Sequence, residues 1–150
     1  MEQKRKVVPP VYFLLTMLLM AALDRVLPVT RIFSLAWAHL GLVPTVLGTL
    51  VCVHAWFGFA RAGTPVVPFE RSTALVTTGL YRFTRNPMYM GLVLILVGVA
   101  TMLGTASPWL PIPLFVWIIQ ANFIHGEERF LEELFGEQYL AYKSRVRRWL

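Results

Sequence analysis

The sequence predicts an all-α integral membrane protein with about four transmembrane helices and a C-terminal amphipathic helical segment on the cytoplasmic face. Hydrophobic residues make up 57% of the 150 residues and charged residues only 15%, and long apolar runs are separated by short polar segments. A soluble domain of this length could not cover so much apolar surface. The length fits one domain, which we expect to occupy residues 1–150.

The apolar runs give approximate bounds for these elements. We expect spans at about 7–25, 32–59, 88–103 and 108–125, a cytoplasmic loop at 61–87 and a cytoplasmic tail at 126–150. The third span starts after Asn86, a good helix N-cap, and Pro87, which suits a first helical position. The long loop contains several prolines and is expected to be an ordered cover. In the tail, Gly136 is the expected break before a final basic and aromatic helix that runs to Leu150.

The positions of the basic residues predict the orientation. Of the 14 lysines and arginines, only Arg25 and Arg31 fall on the side away from the termini, the long loop and the tail. By the positive-inside rule, both termini and the loop therefore face the cytoplasm. The net charge of +6 is explained by this topology, so no nucleic-acid partner is expected. Cys52 is the only cysteine, which predicts neither a disulfide framework nor a cysteine metal site.

The stretch from Gly79 to Gly91 holds the candidate chemistry. Two arginines, two tyrosines and a helix start are crowded into it. The free N–H groups and positive dipole end of such a helix favour an anion. Because the third and fourth spans form an antiparallel hairpin, Glu127 and Glu128 are expected at the same membrane face. Arginines on one side and carboxylates on the other can hold both ends of a zwitterion, such as an amino-acid group.

These motifs resemble the isoprenylcysteine carboxyl methyltransferase family, part of a wider set of membrane methyltransferases that includes phospholipid N-methyltransferases. The resemblance rests on Arg85-Asn86-Pro87-Met88-Tyr89 combined with the paired glutamates, and covers roughly residues 61–150. Asn86 replaces the family's histidine, which keeps the cap and removes a proton acceptor. In the eukaryotic enzymes an arginine precedes the glutamates. The corresponding position in this chain is near Phe123, where no arginine is present.

The resemblance implies S-adenosylmethionine bound at the cytoplasmic face, with no metal. It also implies a lipophilic or membrane-associated methyl acceptor that enters from the bilayer, such as an isoprenylcysteine-like carboxylate, a thiol or a lipid amine. Arg85 and Glu127 are the catalytic candidates. When the family's cofactor-binding positions are carried over to this sequence, the residues expected to bind the cofactor are Tyr81, Arg82, Phe83, Arg85, Asn86, Tyr89, Glu127 and Glu128.

Two other functions remain open from the residues alone: an NADPH-dependent membrane reductase of related architecture, and a small membrane protein without enzymatic activity. In the last case Arg82 and Arg85 would be ordinary anchors at a helix end, and Glu127 and Glu128 a solvated helix face. The histidines are weaker candidates. His125 could lie at the rim of the cofactor site, and hydrogen bonds to neighbouring helices are expected for His39 and His54.

Overall fold

A computed structural model describes residues 8–64 and 73–150, which are mainly helical and contain no β-strand. The all-α class is therefore confirmed for these two ranges. The helices are α1 (Pro9–Val26), α2 (Leu35–Ala38), α3 (Leu42–Arg61), α4 (Pro87–Leu103), α5 (Pro111–Ile119), α6 (His125–Phe135) and α7 (Glu137–Arg145). The basic leader and the central part of the long loop, whose ordered cover was predicted, lie outside the described residues.

Within the described residues, three helical segments are long and apolar enough to cross a membrane: Pro9–Val26, Leu35–Arg61 and Ser107–Phe135. The second of these includes α2, a 3-10 turn at His39–Gly41 and α3. Helix α4 is apolar but has only 17 residues. In the described part of the chain, three helical segments thus reach spanning length, and the third predicted span falls short of it.

The helix of the last predicted span does not end near His125. It passes through a π-helical turn at Gln120–Ile124 and continues as α6 to Phe135. The amphipathic sequence that follows Gly126 is therefore the end of a long helix, where a separate segment was expected. Polarity rises there, but a single glycine does not interrupt the backbone hydrogen bonds of the helix.

Helix α4 lies at the centre of the fold, with α3 on one side and α1 and α5 on the other. Glycines let α3 and α4 approach closely. A methyl group added at Gly48 would lie 2.5 Å from the carbonyl oxygen of Gly91, and one at Gly98 would lie 2.5 Å from that of Gly41. Small residues at a helix interface are typical of membrane proteins. This packing holds the start of α4 in place.

The chain reverses at Gly136, where a φ of +50° separates α6 from α7. The predicted break at this glycine is confirmed. The prediction that the last helix reaches Leu150 is wrong, because α7 ends at Arg145. Residues 146–150, which we call the tail strap, instead return to the segment that precedes α4.

Candidate functional site

The start of α4 is tied to the tail strap. Pro87 is the first residue of the helix and Asn86 occupies the N-cap position, as predicted. The Asn86 side chain, however, makes no capping hydrogen bond; its Nδ2 donates to the carbonyl oxygen of Arg148 at 3.0 Å. The Oγ1 of Thr84 donates to the same oxygen at 3.0 Å, and the amide of Arg85 donates to the carbonyl oxygen of Arg147 at 2.9 Å. Among the described residues, no side-chain cap at this helix start is therefore seen.

Tyr89 and Glu127 join the first turn of α4 to the first turn of α6. The Tyr89 hydroxyl donates to Oε1 of Glu127 at 2.7 Å, and the Tyr89 residue is only 8% exposed. Within residues 8–64 and 73–150, the second oxygen of Glu127 has no hydrogen-bond partner. A carboxylate with one neutral partner and one free oxygen can accept hydrogen bonds from a cationic ligand.

Glu128 is held by two arginines. The Nε and Nη2 atoms of Arg148 donate to its two oxygens at 2.9 and 2.6 Å, a bidentate pair, and Nη1 of Arg85 lies 3.1 Å from Oε1. The Glu128 residue is 7% exposed. The hydrogen bonds to Glu128 raise the pKa of Arg148 above its usual value. Two arginines against one carboxylate leave a net positive charge in this cluster.

Arg85 has a further donor that is not used. Its Nε atom is buried and has no hydrogen-bond partner in the described part of the chain. Nη1 donates to the hydroxyl oxygen of Tyr139 at 3.4 Å as well as pairing with Glu128. A buried polar group without a partner costs free energy, which makes this unpaired donor a candidate for a hydrogen bond to a ligand.

Three tyrosines lie beside this cluster. The Tyr142 hydroxyl donates to the carbonyl oxygen of Tyr81 at 2.7 Å, which fixes the turn that leads to Arg85. Burial raises the pKa values of Tyr81, Tyr139 and Tyr142 above the usual value for tyrosine. Tyr142 and Arg148 were not among the sequence candidates, because only the reversal at Gly136 brings them here.

The remaining candidates are less enclosed. Arg82 and Phe83 are exposed, Phe83 by 69%, and the Arg82 side chain makes no hydrogen bond within the ranges that the structure describes. His125 is exposed as well. Their roles at a cofactor site stay predictions. No group of three metal-ligating side chains occurs among the described residues.

The family model described as phospholipid methyltransferase matches residues 37–138. The chain belongs to the phospholipid methyltransferase family. The matched region contains α3, α4, the Arg85–Tyr89 segment and both glutamates, and it stops before Tyr139 and the tail strap. The acidic and basic halves of the site therefore lie inside the family region, whereas Arg148 lies outside it.

Several named proteins are similar to this family member. Protein-S-isoprenylcysteine O-methyltransferase A of Arabidopsis thaliana is 32% identical over 111 residues, which are 73% of this chain and 56% of the relative. The Homo sapiens protein-S-isoprenylcysteine O-methyltransferase is 34% identical over 71% of this chain and 38% of the relative. An uncharacterized protein of Haemophilus influenzae is 43% identical over 42% of this chain and 100% of the relative. The chain spans about half the length of the plant relatives, and no solved structure matches it.

Proposed function

We propose that this chain is an S-adenosylmethionine-dependent methyltransferase that acts on a lipophilic or membrane-associated acceptor. The observation that carries the proposal is the meeting of α4 and α6, where Tyr89 bonds Glu127 at 2.7 Å and Arg85 pairs with Glu128 at 3.1 Å. Family membership supports the reaction class. The names of the plant and human relatives favour an isoprenylcysteine-like carboxylate, with a thiol or a lipid amine as the other acceptors to test.

The residues present fit the amino-acid end of S-adenosylmethionine. That end carries an ammonium group, which requires acceptors, and a carboxylate, which requires donors. Glu127 offers an oxygen without a partner in the described ranges, and Arg85 offers a buried Nε that is likewise unpaired. The uncapped start of α4 adds backbone N–H groups and a positive dipole end. Tyr81, which is 5% exposed, is an aromatic surface close to these groups.

When bound, S-adenosylmethionine supplies an electrophilic methyl group on a sulfonium. In-line displacement at this carbon depends on alignment with the acceptor and on exclusion of water. In our proposal Glu127, oriented by Tyr89, fixes the ammonium end, and Arg85, held by Glu128, fixes the carboxylate end. An acceptor that is already anionic needs no protein base.

We also propose that α4 is a fourth span and that the site faces the cytoplasm. No charged residue occurs in Pro87–Leu103, and its length of about 25 Å needs only a small local thinning of the bilayer. The positive-inside rule supports the orientation. Exposed apolar side chains at Leu134, Leu140 and Leu150, interspersed with basic residues, favour a tail that lies on the membrane surface.

Ligand titration of the full chain in lipid nanodiscs tests the function. We expect S-adenosylhomocysteine to bind and NADPH not to bind. Arg85→Ala and Glu127→Ala should each weaken S-adenosylhomocysteine by about tenfold or more, because each removes a charge-assisted hydrogen bond. Arg145→Ala is the matched control, since Arg145 is exposed and, within the described residues, its side chain bonds only a carbonyl oxygen of its own helix.

The other outcomes separate the alternatives. Binding of NADPH alone would identify a reductase, and binding of neither ligand would contradict enzymatic use of this site. The acceptor is then identified by incubating the nanodiscs with radiolabelled S-adenosylmethionine and either a prenylcysteine or a membrane lipid extract. A carboxyl methyltransferase labels the prenylcysteine as a base-labile ester, whereas a lipid N-methyltransferase labels the extract with a base-stable product.

A further inference from the structure

The tail strap connects the two halves of the candidate site through one residue. The carbonyl oxygen of Arg148 accepts hydrogen bonds from Thr84 and Asn86, both at 3.0 Å, on the basic side that precedes α4. The guanidinium of the same residue forms the bidentate pair with Glu128 on the acidic side. Trp149 then anchors the strap, because its Nε1 donates to Oε1 of Gln120 in the π-helical turn at 3.0 Å. Arg148 is therefore bonded to both sides at once.

The bidentate pair between Arg148 and Glu128 fixes the position of the Arg85 guanidinium. A guanidinium fork fixes the plane of a carboxylate, because two parallel hydrogen bonds leave little freedom to rotate. With its plane fixed, Glu128 presents Oε1 to Nη1 of Arg85 at 3.1 Å. Arg85 is thereby held with Nη1 in use and Nε buried and unpaired within the described residues.

We propose that Arg148 is a positioning residue that acts through Glu128 to aim the Nε donor of Arg85 at the carboxylate of the bound cofactor. The inference rests on the proposed function. In this proposal the two glutamates have different roles. Glu128 holds Arg85 in position, and Glu127 accepts hydrogen bonds from the ammonium group of the ligand. This arrangement also explains why two arginines share one glutamate, since the excess positive charge complements a ligand carboxylate.

The chain offers a matched control in the neighbouring residue. Arg147 carries the same charge and lies in the same strap, but it is exposed and only its backbone is bonded to the α4 start. Arg147→Gln removes one positive charge from the strap and leaves the backbone bond to Arg85 available. Arg148→Gln removes the same charge together with the fork that holds Glu128.

Two ligands distinguish positioning from general support of the fold. S-Adenosylhomocysteine has the amino-acid carboxylate, and 5′-methylthioadenosine lacks the whole amino-acid portion. In nanodiscs, we expect Arg148→Gln to weaken S-adenosylhomocysteine by about tenfold and to change 5′-methylthioadenosine less than about twofold. Arg147→Gln should leave both affinities within about twofold of the parent chain. Arg148→Lys should give an intermediate loss for S-adenosylhomocysteine, because an ammonium cannot form the two parallel bonds.

Each other result overturns the inference. Equal losses for the two ligands would mean that Arg148 only supports the fold, and no loss would mean that it has no effect on Arg85. If Arg148→Gln does not fold, the affinities of Arg148→Lys for the two ligands are compared instead. A loss confined to S-adenosylhomocysteine supports the inference, and equal losses contradict it. If the parent chain binds neither ligand, the proposed function is contradicted and the inference with it. If the parent chain binds S-adenosylhomocysteine and the variants do not show the expected losses, only the inference is contradicted.

Discussion

Glu127 and Glu128 are neighbours in the sequence but have different partners. Successive residues of a helix point about 100° apart, so adjacent side chains face different neighbours. Glu127 meets the neutral hydroxyl of Tyr89, whereas Glu128 meets the guanidinium groups of Arg85 and Arg148. The charge of Glu128 is compensated within the protein, and that of Glu127 is left for a ligand.

This difference predicts the effect of removing one hydroxyl. Tyr89→Phe keeps the buried ring and deletes the 2.7 Å hydrogen bond to Glu127. Glu127 then loses its orientation, and we expect S-adenosylhomocysteine to bind several-fold more weakly, since a hydrogen bond of this kind contributes about 1 kcal/mol. Titration calorimetry measures the change.

Tyr12→Phe is the control for this substitution. Tyr12 packs its ring edge-to-face on Phe123, in the same long helix as Glu127, with centroids 5.6 Å apart. Its hydroxyl makes no hydrogen bond within the described ranges, so the affinity should not change. Equal affinities for Tyr89→Phe and the parent chain would exclude a role for the Tyr89–Glu127 bond in binding.

Part of the site could be predicted from sequence because it depends on local rules. A helix start at Pro87 and a hairpin of two spans are enough to bring Arg85 and Tyr89 towards the glutamates. The exposure of Arg82 and the burial of Arg85 could not be predicted, because Arg82 ends a single 3-10 turn and Arg85 follows it, and neither belongs to a segment long enough to show a repeating period. The presence of Arg148 at the site could not be predicted either, because its position depends on the direction of the chain after Gly136.

Among the described residues, the interface between α3 and α4 is the most extensive contact between two helices. A Cβ at Gly48 would lie 2.5 Å from the carbonyl oxygen of Gly91 and 2.9 Å from the amide of Ile95. These are backbone atoms, which cannot move aside without shifting a helix. The position of the α4 start therefore depends on the packing of α3 against Gly91, about one helical turn after Pro87.

We expect Gly48→Ala to lower the midpoint of thermal unfolding, with a cost of about 1–3 kcal/mol from overpacking. A thermal scan of the detergent-solubilised protein, followed by intrinsic tryptophan fluorescence, measures it. Gly58→Ala is the control in the same helix, because a Cβ there would meet side-chain atoms of Tyr81 at an ordinary 3.6 Å. That variant should be as stable as the parent chain or slightly more stable. An unchanged midpoint for Gly48→Ala would contradict the close approach of α3 and α4.

The apolar runs predicted which segments are helical more reliably than where the helices end. Hydropathy drops after Gly126, and the sequence therefore suggested a separate amphipathic segment, but the helix continues to Phe135. Polarity indicates where a chain leaves an apolar environment, whereas helix ends require a cap or a breaker. Gly136 is such a breaker, and its effect was predicted.

At the scale of the whole molecule, the expected orientation places the site and α7 in the cytoplasm. Ser34 precedes α2 at one end of the fold and Ser144 lies in α7 at the other, and both are exposed. In a Cys52→Ser background, Ser34→Cys should react with a membrane-impermeant maleimide in intact cells. Ser144→Cys should react only after the membrane is disrupted. The reverse pattern would contradict the proposed orientation and with it a cytoplasmic source of cofactor.

The π-helical turn at Gln120–Ile124 sets the rotation of everything that follows it in the long helix. Such a turn holds one residue more than an α-helical turn, which offsets the later side chains around the helix axis by about 100° relative to an uninterrupted helix. Deleting a single residue from this turn would therefore restore a regular α-helical turn and leave Glu127 and Glu128 at their present rotation. Deleting a single residue from the regular helix before it, α5, would instead rotate Glu128 towards the direction now taken by Glu127, so the acidic pair would lose its match to the arginines without any change to the glutamates themselves.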